Sequence, residues 1–185
     1  TKSGYQTAWI GKWHLETEPQ VFSFFQVLKG QGSYYNPDFL MMDGSLKRVE
    51  GYAPTVIENL SENWLNKRDS TKPFCLVIGH KSTHRTWMPD TMDLGLYDNI
   101  KFPLPHNFYD DYAGREAAAV QDMTIAKTML LGYDLKMFVN EEEENKQGSI
   151  KRMNPAQRQA FDAYYKNIYN DFKSQNLSGN ALTEW

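Results

Sequence analysis

The apolar run Phe74–Gly79 constrains the fold of this chain more than any other segment. Pro73 precedes it and its own glycine ends it, a pattern typical of a strand buried in a parallel sheet. An amphipathic stretch from about Pro54 to Lys67 comes before this run, and Thr7 to Ile10 reads as an earlier short strand. Strand, helix and strand in this order predict an α/β fold, with a mixed or parallel central sheet flanked by helices.

Turn signals and periodicity predict the other elements. Asp43-Gly44 lies between Met42 and Ser45 and predicts a β-hairpin over Asp38 to Val49. The segment from His80 to Ala113 has little periodicity, and loops of this length in a compact domain are usually functional. The acidic run Glu141 to Glu144 predicts a solvated linker. Helices are predicted over Arg115 to Leu131, from a cap at Asn154-Pro155 to about Gln175, and after Ser178.

Composition excludes several classes of protein. The chain has 185 residues and a net charge of −3, so no basic surface indicates a nucleic-acid partner. It has no apolar stretch of about 18 residues, so no membrane span is predicted. Cys75 is the one cysteine, which rules out an internal disulfide, and we expect it to be a buried, inert side chain.

The two ends of the sequence look interrupted. The chain starts in the middle of an apparent structural unit and stops at Trp185, just after an apparent helix start. We therefore expect residues 1–185 to be an internal fragment of a longer protein. Parts of its sheet and core would then be missing, so the isolated chain is expected to associate through exposed core surface.

Lys12 and His14 are the first candidate site residues, two positions apart at the end of a predicted strand. Residues i and i+2 of a strand point to the same face, so both side chains would project together. Trp13 would then turn toward the packing side. A cation and an imidazole placed in this way can grip a tetrahedral oxyanion and move a proton.

A second group of polar residues follows the apolar strand. His80, Lys81 and His84 come directly after Phe74–Gly79. In open α/β sheets, ligands bind beyond the carboxyl ends of the strands, so chemistry is expected at this edge. Of the other histidines and acids, His80 is expected to be structural, His106 to lie on the surface, and Asp110-Asp111 to hold no metal.

Both motifs resemble those of the sulfatase family. Gly4 to His14 is similar to a signature that reads roughly G-Y-x-T-x-x-x-G-K-W-H. Lys81 and His84 match the lysine and histidine of a second motif, K-x-x-H-x-P-W, although Thr83 stands where proline is usual. The residues 30–37 and 81–87 look like bacterial glycan sulfatases of the N-acetylglucosamine-6-sulfatase or heparan type. The resemblance implies the N-terminal catalytic domain of an alkaline phosphatase-like sulfatase, with long active-site loops.

The resemblance also implies roles for particular residues. Lys12 would bind sulfate oxygens, His14 would hydrogen-bond a formylglycine nucleophile, and His84 would contact the sulfate and protonate the leaving alcohol. Lys81 would be a further cation near the ester or the sugar. Arg85 and Trp87 are candidates to line a sugar subsite, and so, from a neighbouring loop, are Tyr34, Tyr35 and Asn36.

Other parts of the implied machinery are absent from the sequence. No C/S-x-P-x-R motif occurs, so the formylglycine site is expected before Thr1. Ligands of the implied calcium ion are expected before Thr1 and after Trp185, and no metal ligand is assigned within the chain. The chain alone is therefore expected to be inactive. The implied parent is a sulfuric ester hydrolase acting on a sulfated glycan such as a glycosaminoglycan, in the periplasm or secreted.

Two other functions remain open from the sequence. One is a phosphodiesterase or phosphonate hydrolase of the same superfamily. The other is a non-catalytic glycan-binding protein built on a degenerate sulfatase fold. The presence of Lys12, His14 and His84 together counts against a retired site, because a protein without catalysis has no need of all three.

Overall fold

The computed structural model describes residues 2–137 and 148–185, which form two compact units. The described part of the first unit is 2–88 with 148–158, and that of the second is 89–137 with 159–185. The predicted linker Glu141 to Glu144 lies outside the described residues. No described helix is long and apolar enough to cross a membrane.

A five-stranded mixed sheet forms the centre of the first unit. β1 is an inner strand that runs parallel to β2 on one side and to the edge strand β5 on the other. β3 and β4 extend the sheet beyond β2 as antiparallel strands, giving the order β4-β3-β2-β1-β5. The predicted α/β fold with a mixed sheet is confirmed. The strands are β1 (Gln6–Lys12), β2 (Phe24–Leu28), β3 (Asp38–Met41), β4 (Leu46–Arg48) and β5 (Phe74–Gly79).

Helix α1 (Ala53–Lys67) connects the hairpin to β5 and supplies two of the five residues of the core cluster. Pro54 lies in its first turn, where a missing N–H costs nothing. Val56 and Ile57 of the helix pack with Ile10 and other strand residues, and each fully buried aliphatic side chain contributes about 1.5–3 kcal/mol. The core cluster consists of Ile10, Leu28, Phe39, Val56 and Ile57.

The predicted hairpin is present between β3 and β4. Gly44 adopts a φ of +79°, which the turn requires and which glycine adopts without strain. The Asp43 carboxylate accepts a hydrogen bond from the Ser45 N–H at 2.9 Å, which closes the turn.

The prediction that β5 is a buried strand is wrong, although its parallel pairing is correct. Phe74 and Ile78 are 41% and 42% exposed, and Cys75 is also exposed rather than buried. The reason is position: β5 is the edge strand of the described sheet, and its second edge has no partner strand there. The association of the isolated chain through such surface stays a prediction.

The second unit is mainly loop and helix. The predicted helix over Arg115 to Leu131 is wrong, because two short helices replace it. The Gln121 side chain accepts a hydrogen bond from the Met123 N–H at 2.8 Å, and the Thr124 hydroxyl accepts one from the Lys127 N–H at 3.2 Å. Such local side-chain bonds offer the backbone an alternative to a continuous helix. The helices are α2 (Glu116–Val120), α3 (Ile125–Thr128), α4 (Pro155–Gln175) and α5 (Gly179–Glu184).

Helix α4 begins where the sequence predicts. The Asn154 side chain accepts a hydrogen bond from the Gln157 N–H at 2.8 Å, and the Gln157 side chain accepts one from the Asn154 N–H at 2.9 Å. This reciprocal pair is a capping box and satisfies two backbone donors at the helix start. Pro155 follows at the first helical position.

Two glycines allow the ends of β1 and β5 to approach closely. Gly11 and Gly79 are directly paired in the parallel register. A Cβ atom on Gly11 would lie 2.1 Å from the Gly79 carbonyl oxygen, and one on Gly79 would lie 2.3 Å from the Lys12 carbonyl oxygen. Any larger residue at either position therefore forces the strands apart.

We expect Gly79→Ala to lower the free energy of unfolding by about 1–3 kcal/mol, because its methyl group overlaps backbone that cannot yield. Gly148→Ala is the matched control, since a Cβ there meets nothing within 4 Å. Thermal or denaturant unfolding of the two variants measures the difference. Equal stability of both variants would show that the strands separate without cost.

Candidate active site

The carboxyl ends of three parallel strands meet at one edge of the sheet. β1 ends at Lys12, β5 ends two residues before Lys81, and β2 ends three residues before Gln31. Because parallel strands finish at the same edge, the residues after them gather there, and such edges are where α/β proteins bind ligands. The sheet topology thus assembles the candidate site from segments far apart in sequence.

Lys12 and Lys81 form a pair of cations at this edge. Lys81 is only 6% exposed, and its ammonium nitrogen lies 5.2 Å from the centre of the Tyr34 ring. Burial lowers the pKa of Lys81, and the positive charge of Lys12 lowers it further. Like charges repel, so an anion bound near both ammonium groups would relieve the repulsion. The pair is suited to bind an oxyanion.

One ring nitrogen of His84, Nδ1, is hydrogen-bonded to the backbone of its own loop. This nitrogen lies 2.5 Å from the backbone carbonyl oxygen of Arg85. A carbonyl oxygen can only accept, so Nδ1 carries the proton and Nε2 is the atom that exchanges protons. The His84 backbone N–H also donates to the Lys81 carbonyl at 3.1 Å, which ties the two residues into one turn. The exposed side chain of His84 can therefore act as an acid or base through Nε2.

The predicted strand geometry of Lys12 and His14 is wrong. β1 ends at Lys12, and His14 has a φ of +48°, outside the extended region. Trp13 does turn toward packing, with its ring 4.7 Å from that of Trp9 in an edge-on contact. The chain bends here because Trp9 holds both the Trp13 ring and, through its Nε1–H, the Lys12 carbonyl at 2.9 Å.

His14 instead meets Gln31, a residue that sequence reasoning missed. The Gln31 amide nitrogen lies 2.7 Å from Nε2 of His14 and 3.2 Å from Nδ1. An amide nitrogen donates, so a ring nitrogen of His14 is the acceptor in this contact. A cavity of about 590 Å³ adjoins the pair and is lined also by Trp13, Lys29 and Leu46. No signal in the sequence distinguishes Gln31, because its role depends on where β2 ends beside β1.

The other predicted sugar-contacting residues divide into buried and exposed groups. Tyr34, Tyr35 and Asn36 are buried, so the prediction that they stack on or contact a sugar is wrong; they fill the interior. Trp87 is 46% exposed and Arg85 is also exposed, so both remain on the surface of the loop that carries His84.

The remaining polar candidates lie elsewhere on the surface. His80 and His106 are exposed. Asp110 forms an ion pair with Arg115 and accepts a hydrogen bond from the Tyr112 N–H at 3.0 Å, so its oxygens are already engaged. Across residues 2–137 and 148–185, no group of three His, Cys, Asp or Glu side chains is arranged to hold a metal ion.

A polar network holds the segment that carries Tyr34. Asn36 is buried, and its amide donates to the Gln157 side chain at 3.0 Å while its side-chain oxygen accepts from the Gly51 N–H at 2.8 Å. Arg152 donates to the Asn36 carbonyl at 2.6 Å and pairs with Asp38 at 2.7 Å. The hydrogen bonds of Arg152, and then those of Arg48, lower the pKa of Asp38 to about 2.

Comparison with known proteins assigns the family. N-acetylglucosamine-6-O-sulfatase of Bacteroides thetaiotaomicron is 42% identical over 193 residues, covering 100% of this chain. The solved structure of BT4656 in complex with its substrate D-glucosamine-2-N,6-O-disulfate matches with a TM-score of 0.89 and 40% identity, also over 100% of this chain. The chain belongs to the sulfatase family. This confirms the resemblance based on Gly4 to His14 and on Lys81 to Trp87.

The sulfatase relatives are longer than this chain. It spans 34% of the Bacteroides thetaiotaomicron protein and 39% of the solved structure. Human N-acetylglucosamine-6-sulfatase is 25% identical over 119 residues, which cover 57% of this chain and 22% of that protein. No family model matches the chain.

We expect Lys81→Met to weaken binding of inorganic sulfate to the full-length protein about tenfold, because a charge-assisted contact is lost. The lowered pKa means that Lys81 loses its charge at a lower pH than an exposed lysine does, so wild-type affinity should fall as the pH rises through that pKa. Titration calorimetry across pH measures both effects. Lys67→Met, a change in an exposed lysine of α1, is the control. An unchanged affinity in Lys81→Met would contradict the cation pair.

We expect Arg152→Gln to lower the free energy of unfolding by about 1 kcal/mol at neutral pH, a figure reduced because Asp38 is partly exposed. The pKa of Asp38 is lowered from 3.8 to about 2, so its contribution is complete above pH 3.8 and is lost as the pH falls through about 2. The difference from wild type should shrink over that range in denaturant unfolding. Arg48→Gln should cost less, because the Arg48 side chain is 61% exposed against 22% for Arg152.

Proposed function

We propose that the protein containing this chain hydrolyses a sulfate ester on a glycan. The observation that carries the proposal is the pairing of a buried cation, Lys81, with Lys12 at the strand ends, one turn from the exchangeable Nε2 of His84. This arrangement offers two cations for a sulfate group and an acid for the oxygen that leaves it. The family membership of the chain agrees with that chemistry.

In the proposed reaction, Lys12 and Lys81 bind the non-bridging sulfate oxygens. Negative charge develops on the bridging oxygen as its bond to sulfur breaks. His84, protonated on both ring nitrogens, donates its Nε2 proton to that oxygen and becomes the neutral ring with the proton on Nδ1. His14 follows β1 at the same edge of the sheet, and its ring can take up a proton there once the nitrogen that accepts from Gln31 is released. The hydrogen bond from Nδ1–H to the Arg85 carbonyl oxygen keeps one proton on Nδ1, so Nε2 is the nitrogen that gives up its proton.

A formylglycine and a calcium ion, as the family resemblance implies, would supply the nucleophile and polarise the sulfate. The described residues provide no cluster for the metal, so its ligands are expected elsewhere in the longer protein. The part of the reaction attributed to this chain is sulfate binding, orientation and proton transfer.

The substrate we propose is a 6-O-sulfated glucosamine in a glycan. BT4656 takes D-glucosamine-2-N,6-O-disulfate as its substrate, and other relatives are N-acetylglucosamine-6-sulfatases. The exposed Arg85 and Trp87 follow directly after His84, so they are placed to contact the sugar that carries the ester. An aromatic face and a guanidinium are suited to a sugar ring and to a second sulfate, respectively.

We expect the full-length protein to release sulfate from a 6-O-sulfated glucosamine, and Lys12→Ala or His84→Ala to lower kcat about 10²–10⁴-fold. Ion chromatography of released sulfate measures this turnover. His106→Ala is the control, because His106 is an exposed histidine of the second unit. Faster hydrolysis of an aryl phosphodiester than of an aryl sulfate would favour the phosphodiesterase alternative. Glycan binding that survives both alanine changes, without turnover, would favour a binding protein.

A further inference from the structure

The loop from His84 to Met88 is held at both ends by tyrosine hydroxyls. Tyr34 donates to the carbonyl oxygen of His84 at 2.5 Å, and Tyr52 donates to the carbonyl oxygen of Met88 at 2.8 Å. The two tyrosine rings stack on each other, with centroids 6.1 Å apart and planes 17° apart. One pair of stacked tyrosines is therefore hydrogen-bonded to the first and the last residue of the loop.

Both tyrosines are themselves fixed to the body of the first unit. Tyr34 is 1% exposed; its N–H donates to the Ser149 hydroxyl at 3.2 Å, and its carbonyl accepts from the Ala53 N–H at 2.7 Å. Tyr52 immediately precedes α1, and its carbonyl accepts the first hydrogen bond of the helix, from the Val56 N–H at 2.9 Å. Both tyrosines are thus hydrogen-bonded to the start of α1, and Tyr34 is bonded to Ser149 as well.

Tyr34 contacts two further residues of the site segment. Its ring faces the Lys81 ammonium group, and its phenol oxygen is hydrogen-bonded to the side chain of Ser82. A single buried side chain therefore contacts the anion-binding lysine, the residue after it and the backbone of the acid. Its hydroxyl reaches the His84 backbone and not the imidazole, so it acts through His84.

We propose that Tyr34 and Tyr52 are positioning residues that set where Nε2 of His84 stands relative to an anion held by Lys12 and Lys81. The inference rests on the proposed sulfatase function. Proton donation requires the acid within hydrogen-bond reach of the leaving oxygen, and a displacement of about 1 Å can cost about a hundredfold in rate. Without the two hydroxyls, the loop keeps its residues but loses its fixed ends.

The test compares two substrates that differ in their need for an acid. A sugar 6-O-sulfate has an alkoxide leaving group and depends on protonation, whereas 4-nitrophenyl sulfate releases a stable phenolate and hardly depends on it. In the full-length protein, we expect Tyr34→Phe to lower kcat about 10- to 100-fold for the sugar sulfate and less than about threefold for the aryl sulfate. Phenylalanine retains the ring that faces Lys81 and Tyr52, so KM should change little.

Controls separate positioning from stability. Tyr164→Phe removes a hydroxyl bonded to Asp98 at 2.5 Å within the second unit and should leave the ratio of the two rates unchanged. Tyr52→Phe, at the other end of the loop, should shift the ratio in the same direction as Tyr34→Phe, and it provides the test if Tyr34→Phe does not fold.

Three results would overturn the inference. Equal losses on both substrates would indicate a general structural role, and unchanged rates on both would show that the hydroxyls do not position His84. Either result leaves the proposed function intact if the wild-type protein hydrolyses the sugar sulfate. Absence of wild-type turnover on both sulfates would overturn the proposed function and this inference with it.

Discussion

The close approach of Gly11 and Gly79 is the constraint on which the site depends. The two residues pair across β1 and β5, and neither has room for a Cβ atom. The segments that follow them, with Lys12 on one strand and Lys81 beyond the other, therefore begin at nearly the same point. Electrostatic repulsion would otherwise separate two lysines, so the backbone, and not the side chains, keeps the cations together.

Distant segments then fix the loops around that point. Ser149, Arg152 and Gln157 contact residues 33–38, more than a hundred positions earlier in the chain. Those contacts secure the buried Asn36 and Tyr34, and Tyr34 in turn touches the segment that carries His84. The polar residues of this network are satisfied inside the unit, and buried networks of this kind favour one arrangement over its alternatives. The loop with the acid is thereby linked to the sheet through several independent bonds.

Short sequence patterns predicted the elements that depend on interactions between residues close in sequence. Asp43-Gly44 indicated the hairpin, Asn154-Pro155 indicated a helix start, and the run Phe74–Gly79 indicated a parallel strand. Exposure of β5 was not predictable, because burial depends on what lies beside a strand and not on its composition. The break between α2 and α3 was missed because hydrogen bonds of Gln121 and Thr124 outweigh a weak helical tendency.

For the candidate site, the sequence identified particular residues, and their roles stay predictions. Lys12, Lys81 and His84 were identified from two motifs, and the structure brings Lys12 close to Lys81 and ties His84 to it by a turn. The predicted orientation of His14 was wrong, because the packing of Trp9 against Trp13 ends the strand before His14. No sequence motif marks the contact of Gln31 with His14 or the contacts of Tyr34 with the His84 loop. Both form where segments far apart in sequence come together in the fold.

In the loop that carries His84, the tautomer of His84 is independent of the side chains that follow it, because His84 bonds to the backbone carbonyl of Arg85. A carbonyl is present whatever side chain residue 85 carries, so the tautomer of the acid does not depend on that side chain. If Arg85 and Trp87 contact the sugar, as proposed, variation at these positions would change which sugar is accepted without altering the tautomer of His84. Substrate range and proton transfer would then vary independently within four consecutive residues.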